Sequence, residues 1–288
     1  MAAQLLRTVE DARAFTRQVR ARGQRLALVP TMGFLHEGHL SLMRGGKERA
    51  DVCAATIFVN PAQFGPKEDL SRYPRDLDGD LRKCASAGVD AVWAPERAQV
   101  YPPGYQTYVE VTELSKGLCG ERRPGHFRGV ATVVAKLLAL FRPDVALFGE
   151  KDFQQLRVIQ RLNADLDLAV EVVGLPIVRE PDGLAMSSRN SYLSAAERQR
   201  ALSLHRGLKA AQALCGQGVV TARELVGAVR AELEREGAGV RPDYVELVDS
   251  ETLAPIIRVA DQPARLLVAA YVGSTRLIDN LELREPSE

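Results

Sequence analysis

The stretch Leu26-Ala27-Leu28-Val29-Pro30-Thr31-Met32-Gly33-Phe34-Leu35-His36-Glu37-Gly38-His39 decides how the chain folds. Residues 26–29 form a short apolar run that stops at Pro30, and a helical pattern begins near His39, so strand, loop and helix follow in order. Upstream, Thr8 and Asp11 have capping-box spacing, and Ala12, Phe15 and Val19 recur at helical intervals until Gly23. Downstream, apolar runs at 52–59, 89–94, 145–148 and 170–173 are separated by helical patterns at 76–87, 130–141 and 153–166. Strands that alternate with helices in this way predict an α/β fold on a parallel sheet.

The composition changes near residue 177, and two domains are expected, 1–177 and 178–288. In the second, the spacings Ser194-x-x-Glu197 and Thr221-x-x-Glu224 open two long helical patterns, one of which has an apolar face of Ala201, Leu204, Leu208, Ala211 and Leu214. Three short strand patterns follow at 244–248, 266–272 and 276–279. They suggest a smaller α+β domain whose sheet packs on those helices.

Thirty-eight Lys and Arg against 37 Asp and Glu leave a formal charge of +1. That balance supplies no excess for gripping nucleic acid or an anionic membrane, so small molecules are the expected partners. The longest apolar stretch, 130–141, is interrupted by Thr132 and Lys136 and is shorter than the roughly 18 residues of a membrane span. The first fifteen residues hold no secretory h-region. Cys53, Cys84, Cys119 and Cys215 are far apart with no C-x-x-C pair, which fits buried thiols in a reducing cytoplasm better than a zinc or redox site.

Met32 to His39 carries the strongest chemical signal. Two imidazoles flank Gly38 at a helix start, where unpaired N–H groups and the positive end of the dipole suit phosphate. His36 and His39 can donate to oxygens on which charge develops. A capping role suits such histidines too, but their place at the carboxyl end of a parallel strand, where α/β sheets bind ligands, favours a ligand. Neither a G-x-x-x-x-G-K-[ST] loop nor a G-x-G-x-x-G fingerprint is present.

Other polar segments also follow predicted strands. Gly149-Glu150-Lys151-Asp152-Phe153-Gln154-Gln155 offers a phosphate contact in Lys151 and a ribose partner in Asp152, with Gln155 one helical turn on from Asp152. Asn60 and Gln63 bring amides suited to hydroxyl and carboxylate ligands. Met186-Ser187-Ser188-Arg189, in a loop beyond the domain boundary, resembles a phosphate clamp, and such loops exclude water when they close. Asp76, Asp78 and Asp80 suit either magnesium held through water or a solvated helix face. The basic run from Arg122 to Arg128 suits either a cover over an anionic ligand or a surface loop.

Taken together and in order, PTMGFLHEGH, FVNPAQF, YPR, RPGHFRG, FGEKDFQQL, DGLAMSSRNSYL and TRLIDN resemble the pantothenate synthetase (pantoate–β-alanine ligase) family. The His-x-Gly-His block alone is shared with many nucleotidyltransferases and class I aminoacyl-tRNA synthetases; the combination is far more specific. The resemblance implies a Rossmann-like nucleotidyltransferase-type sheet, a smaller C-terminal domain and a homodimer. It implies ATP, with Mg2+, across Met32, Gly33, Phe34, Leu35, His36, Glu37, Gly38 and His39, then Gly149, Glu150, Lys151 and Asp152, then Val178, Met186, Ser187, Ser188 and Arg189. Pantoate is expected at Gln63 and Gln155, with Asn60 as a further substrate-binding residue.

In the mechanism that the resemblance implies, the pantoate carboxylate attacks the α-phosphorus, pyrophosphate leaves, and the β-alanine amine displaces AMP from the pantoyl adenylate. His39 matches the proton donor, His36 neutralises charge, Lys151 and Arg189 hold the departing phosphates and Asp152 takes the ribose. Where the family commonly has two adjacent acidic residues after Tyr-Pro-Arg, this chain has Gly79-Asp80. No metal ligand is therefore assigned, with Asp78 and Asp80 left as candidates. Two alternatives are a nucleotidylyltransferase acting on a phosphate-bearing acceptor, against which Gln63 and Gln155 argue, and a nucleotide-binding module without turnover.

Overall fold

The computed structural model describes residues 3–66, 68–259 and 263–284. These form two compact units. The first comprises the chain up to Ser115, Arg123–Glu150 and Gln155–Val178, and the second comprises Lys116–Arg122, Lys151–Gln154 and the chain from Arg179 onward.

In the first unit β1 (Gln4–Leu6) leads into α1 (Val9–Ala21), which starts where its cap is satisfied. The Thr8 hydroxyl accepts the Asp11 N–H at 3.0 Å while the Asp11 carboxylate accepts the Thr8 N–H at 2.8 Å. These bonds satisfy two donors that a helix start otherwise leaves orphaned. Then come β2 (Leu26–Thr31), α2 (Glu37–Arg49), β3 (Val52–Ile57), α3 (Leu77–Ser86), β4 (Ala91–Trp93) and the single turn α4 (Arg97–Val100). After α5 (Cys119–Arg122), which belongs to the second unit, follow α6 (His126–Phe141), β5 (Val145–Gly149), α7 (Phe153–Asp165) and β6 (Glu171–Leu175).

All six strands are parallel, in the order β1-β4-β3-β2-β5-β6. The chain builds outward from β2 through β3 and β4, then returns past β2 to lay down β5 and β6. The carboxyl ends of β2 and β5 therefore flank the point where strand order reverses, the place where such sheets take ligands. Leu26, Leu28, Ala54, Ala55, Ala146 and Leu147 are fully buried, as expected of a sheet covered on both faces.

Three boundaries differ from the sequence expectation. The strand continues through Pro30. Leu26 directs its carbonyl to Asp144 at the start of β5, whereas Arg25 and Thr31 direct theirs to the β3 side, so even-numbered residues face β5. Pairing with β5 ends at Leu28, so the ladder makes no use of the N–H that Pro30 lacks. Second, α2 starts at Glu37, which puts His36 at the N-cap and His39 at the third helical position. Third, the run from His126 to Arg128 forms the first turn of α6, and His126 is 9% exposed.

The second unit packs α8 (Ala195–Gly216) and α9 (Ala222–Glu234) on an antiparallel sheet of β7 (Val240–Asp249), β8 (Ala264–Val272) and β9 (Thr275–Leu283). Leu204, Leu208, Leu225, Val229 and Leu233 from the helices meet Val245, Leu247, Leu266 and Val268 from the sheet in one core. The strands extend beyond their expected ends, and β7 carries an irregularity between Pro242 and Tyr244. All four cysteines are buried and none is in a disulfide, and burial pushes Cys53 and Cys84 up to about 12. Among the described residues no helix is long and apolar enough to cross a membrane.

Candidate active site

The loop from β2 to α2 is shaped by a left-handed pair, Gly33 at φ +82° and Phe34 at φ +50°. A Cβ on Gly33 would meet Ile57 Cγ2 at 2.9 Å and Asp80 Oδ2 at 3.0 Å, so glycine is required by both conformation and space. Asp80, from the first turn of α3, places one carboxylate oxygen 2.7 Å from the Phe34 N–H and the other 2.7 Å from the Leu35 N–H. One helical turn on, Lys83 donates to the Leu35 carbonyl at 2.7 Å. Burial pushes the Asp80 carboxyl above its ordinary value, against the opposing pull of the two amides and Lys83. A buried carboxylate thus holds the loop in the form that launches α2.

At the start of α2 the rings of His36 and His39 lie with centroids 4.0 Å apart. His39 Nδ1 accepts the His36 backbone N–H at 3.2 Å, the reciprocal half of a capping box. An Nδ1 that accepts carries no proton, so the imidazole keeps its proton on Nε2 as a donor. The Glu37 and Gly38 amides belong to a first turn that offers them no intrahelical acceptor. The Glu37 side chain pairs with Arg44.

At the carboxyl end of β3, Asn60 uses all its hydrogen-bonding capacity internally. Its Oδ1 accepts from the Ala62 N–H at 3.2 Å and the Tyr101 hydroxyl at 2.8 Å, while its Nδ2 donates to Gln63 Oε1 at 3.0 Å and the Gly129 carbonyl at 3.1 Å. Asn60 therefore orients Gln63. Gln63 in turn directs its Nε2 at Met32 Sδ, 3.2 Å away, a weak acceptor. Gly149 ends β5 and Glu150 follows it in the same unit, where Gln155 and Val178 are half-buried. A cavity of about 680 Å³ in this unit lies between α1 and α6 and includes none of the motif residues.

In the second unit, Lys151 and Ser187 share the lining of a small recess with Asn190 and Asp279. Lys151 Nζ is 3.6 Å from the exposed Asp152 carboxylate. The loop before Met186 is a tight hairpin: Arg179 bridges to Ala185, and Glu180 N–H donates to the Leu184 carbonyl at 2.8 Å. Arg198 spans Glu180 and Asp182 at 2.6 and 2.7 Å, and its hydrogen bond holds the Glu180 carboxyl below the ordinary value. Ser187 caps the following 3-10 turn by accepting the Arg189 N–H, with Ser188 buried and Met186 and Arg189 half-buried.

The late TRLIDN block secures both of these segments. Asp279 receives the Arg179 guanidinium as a fork at 2.7 and 2.9 Å, and Arg179 also donates to the Gly183 carbonyl at 3.1 Å. Asn280 donates to the Lys151 carbonyl at 3.0 Å while accepting from Arg265 at 2.8 Å. The sequence alone assigns this block no role, and it gives no role to Lys83 or Arg179 and no clamping function to Asp80. The three-residue spacing of Asp80 and Lys83 on a predicted helix was the one available signal.

The acidic residues after Tyr-Pro-Arg do not suit a resident metal. Asp76 caps α3 through the Gly79 N–H at 3.0 Å, both oxygens of Asp80 hold amides, and Asp78 is exposed. Among the described residues no group of three or more His, Cys, Asp or Glu is arranged to hold a metal ion.

A family model described as Pantoate-beta-alanine ligase matches residues 4–282. The chain belongs to the pantoate–β-alanine ligase family. A pantothenate synthetase of Myxococcus xanthus is 68% identical over 285 residues, 98% of this chain and 97% of the relative. The crystal structure of a pantothenate synthetase from Thermus thermophilus superposes with a TM-score of 0.92 at 45% identity, covering 98% of this chain and 99% of that one. The ligase from Francisella tularensis, solved with a β-γ ATP compound and β-alanine, gives 0.82 at 31% identity, covering 99% of each chain. As a pantoate–β-alanine ligase the chain forms the carbon–nitrogen bond of pantothenate, and transfer of a nucleotidyl group to a phosphate-bearing acceptor is not favoured.

Proposed function

We propose that the ligase activates pantoate with ATP, in two steps. The pantoate carboxylate oxygen bonds to the α-phosphorus as the bond to pyrophosphate breaks. The β-alanine amine then bonds to the acyl carbon, AMP leaves with the former carboxylate oxygen, and the amine loses a proton. In-line displacement at phosphorus calls for positioning and charge neutralisation rather than a protein nucleophile. The observation that carries this reading is the paired His36 and His39 at the start of α2, with His39 kept as an Nε2–H donor. Such a donor strengthens as charge grows on the departing phosphate oxygens.

To ATP we assign Met32 to His39, Gly149 to Asp152, Val178 and Met186 to Arg189. Lys151 and Arg189 hold phosphates, Ser187 and Ser188 supply hydroxyls, and Asp152 takes the ribose. Gln63 and Gln155 take pantoate, with Asn60 as the residue that aims Gln63. Mg2+ belongs to this reading only as a companion of the ATP phosphates and water, with no protein cage and no role for Asp80 as its ligand. A homodimer working in the cytoplasm follows from the family resemblance, and light scattering on the purified protein tests the dimer.

Following AMP release with each substrate omitted in turn tests the whole reading. Sustained release is expected only with ATP, pantoate and β-alanine together. Sustained release without pantoate would overturn it.

A further inference from the structure

In the basic run that leads into α6, Arg123 and His126 are tied to Gln63. His126 Nδ1 lies 2.9 Å from the Gln63 carbonyl oxygen, and His126 Nε2 lies 3.1 Å from Arg123 Nη1. A guanidinium only donates, so Nε2 accepts, the proton sits on Nδ1, and His126 donates to Gln63. Arg123 adds a second donation to the same carbonyl at 3.3 Å. Its remaining fork grips Glu68, with Nε and Nη2 each 2.7 Å from a carboxylate oxygen. Gly129, on the same turn of α6, allows the helix to lie against the main chain here: a Cβ would meet the Ala62 carbonyl oxygen at 2.2 Å.

The 3-10 turn Pro61–Gln63 is thereby held at both ends of its last residue. Asn60 fixes the Gln63 side-chain oxygen, and the pair His126 and Arg123 fixes its main-chain oxygen. Only the Gln63 amide nitrogen remains on a weak partner, Met32 Sδ.

We propose that His126, held in one tautomer by Arg123 and Glu68, is a positioning residue that aims the Gln63 amide at pantoate. It touches no reacting atom and acts through the main chain of Gln63. This rests on the assignment of Gln63 to pantoate made above. A residue placed this way sets the affinity for one substrate and leaves the others alone.

The test is a double-mutant cycle on His126→Ala and Gln63→Ala, with His126→Asn alongside, because an Asn amide reproduces the Nδ1 donor. KM for pantoate, ATP and β-alanine and the melting temperature are measured for each. His126→Ala is expected to raise the pantoate KM about tenfold, the equivalent of one lost hydrogen bond, with the other two KM values unchanged. His126→Asn should recover most of that loss, and adding His126→Ala to Gln63→Ala should cost nothing further. An unchanged pantoate KM in Gln63→Ala would remove the underlying assignment. If Gln63→Ala has its effect but His126→Ala and His126→Asn leave the pantoate KM unmoved, raise all three KM values alike, or add independently to Gln63→Ala, the positioning role is wrong.

Discussion

His39 Nδ1 accepts the backbone N–H of His36 at 3.2 Å, so one imidazole both closes the cap of α2 and presents an Nε2–H donor. The two roles separate by substitution. A glutamine at the third helical position can still accept the N-cap amide, whereas alanine cannot. His39→Gln should keep the melting temperature and lower kcat by roughly 10² to 10³, the scale of losing one donor to a developing oxyanion. His39→Ala should lose the same activity and also about 1 kcal/mol of stability. A glutamine variant with normal single-turnover adenylation would leave His39 a cap and nothing more.

Asp80 provides a second test, because its two carboxylate oxygens hold the Phe34 and Leu35 amides. Asp80→Asn replaces one acceptor with a donor facing an N–H. Urea denaturation should show a loss of about 2 kcal/mol, in the range for hydrogen bonds to a charged group. The KM for ATP should rise with it, and added Mg2+ should not restore it. Recovery at high Mg2+ would make Asp80 a metal ligand instead of a clamp.

His205 packs over Gly183, and its Nδ1 is 4.0 Å from Asp279. Burial, and then the charge of Arg179, push its imidazole below the ordinary 6.5 in spite of Asp279. With a depressed folded-state value, the unfolded chain binds the proton more readily. Stability is therefore lost as pH falls through the window below 6.5. Between about pH 7.5 and about pH 5.5 the wild type should lose more stability than His205→Gln. Equal losses would contradict this. Glu180 acts in a lower window: its carboxyl is held down by Arg198, so its contribution is complete above 4.5 and disappears only as pH falls through the depressed folded value.

Much of the architecture was legible because local chemistry and tertiary structure agree. Thr8 with Asp11 and Ser194 with Glu197 cap helices as their spacing predicts, and the alternating apolar runs form the parallel sheet. Pro30 was misleading because its tolerance depends on where β5 stops pairing, a fact no local window contains. His126 was illegible for a similar reason. Its partners Gln63 and Glu68 lie 63 and 58 positions away, the latter reached through Arg123. Asp80 resembled a solvent-facing acid in a run of three, and only the fold of the 33–35 loop reveals that it is 1% exposed.

Pyrophosphate–ATP exchange tests whether pantoate is adenylated before the amine is used. With ATP, pantoate and labelled pyrophosphate present and β-alanine omitted, label should enter ATP, and leaving out pantoate should abolish it. Exchange that appears only after β-alanine is added would contradict the two-step account.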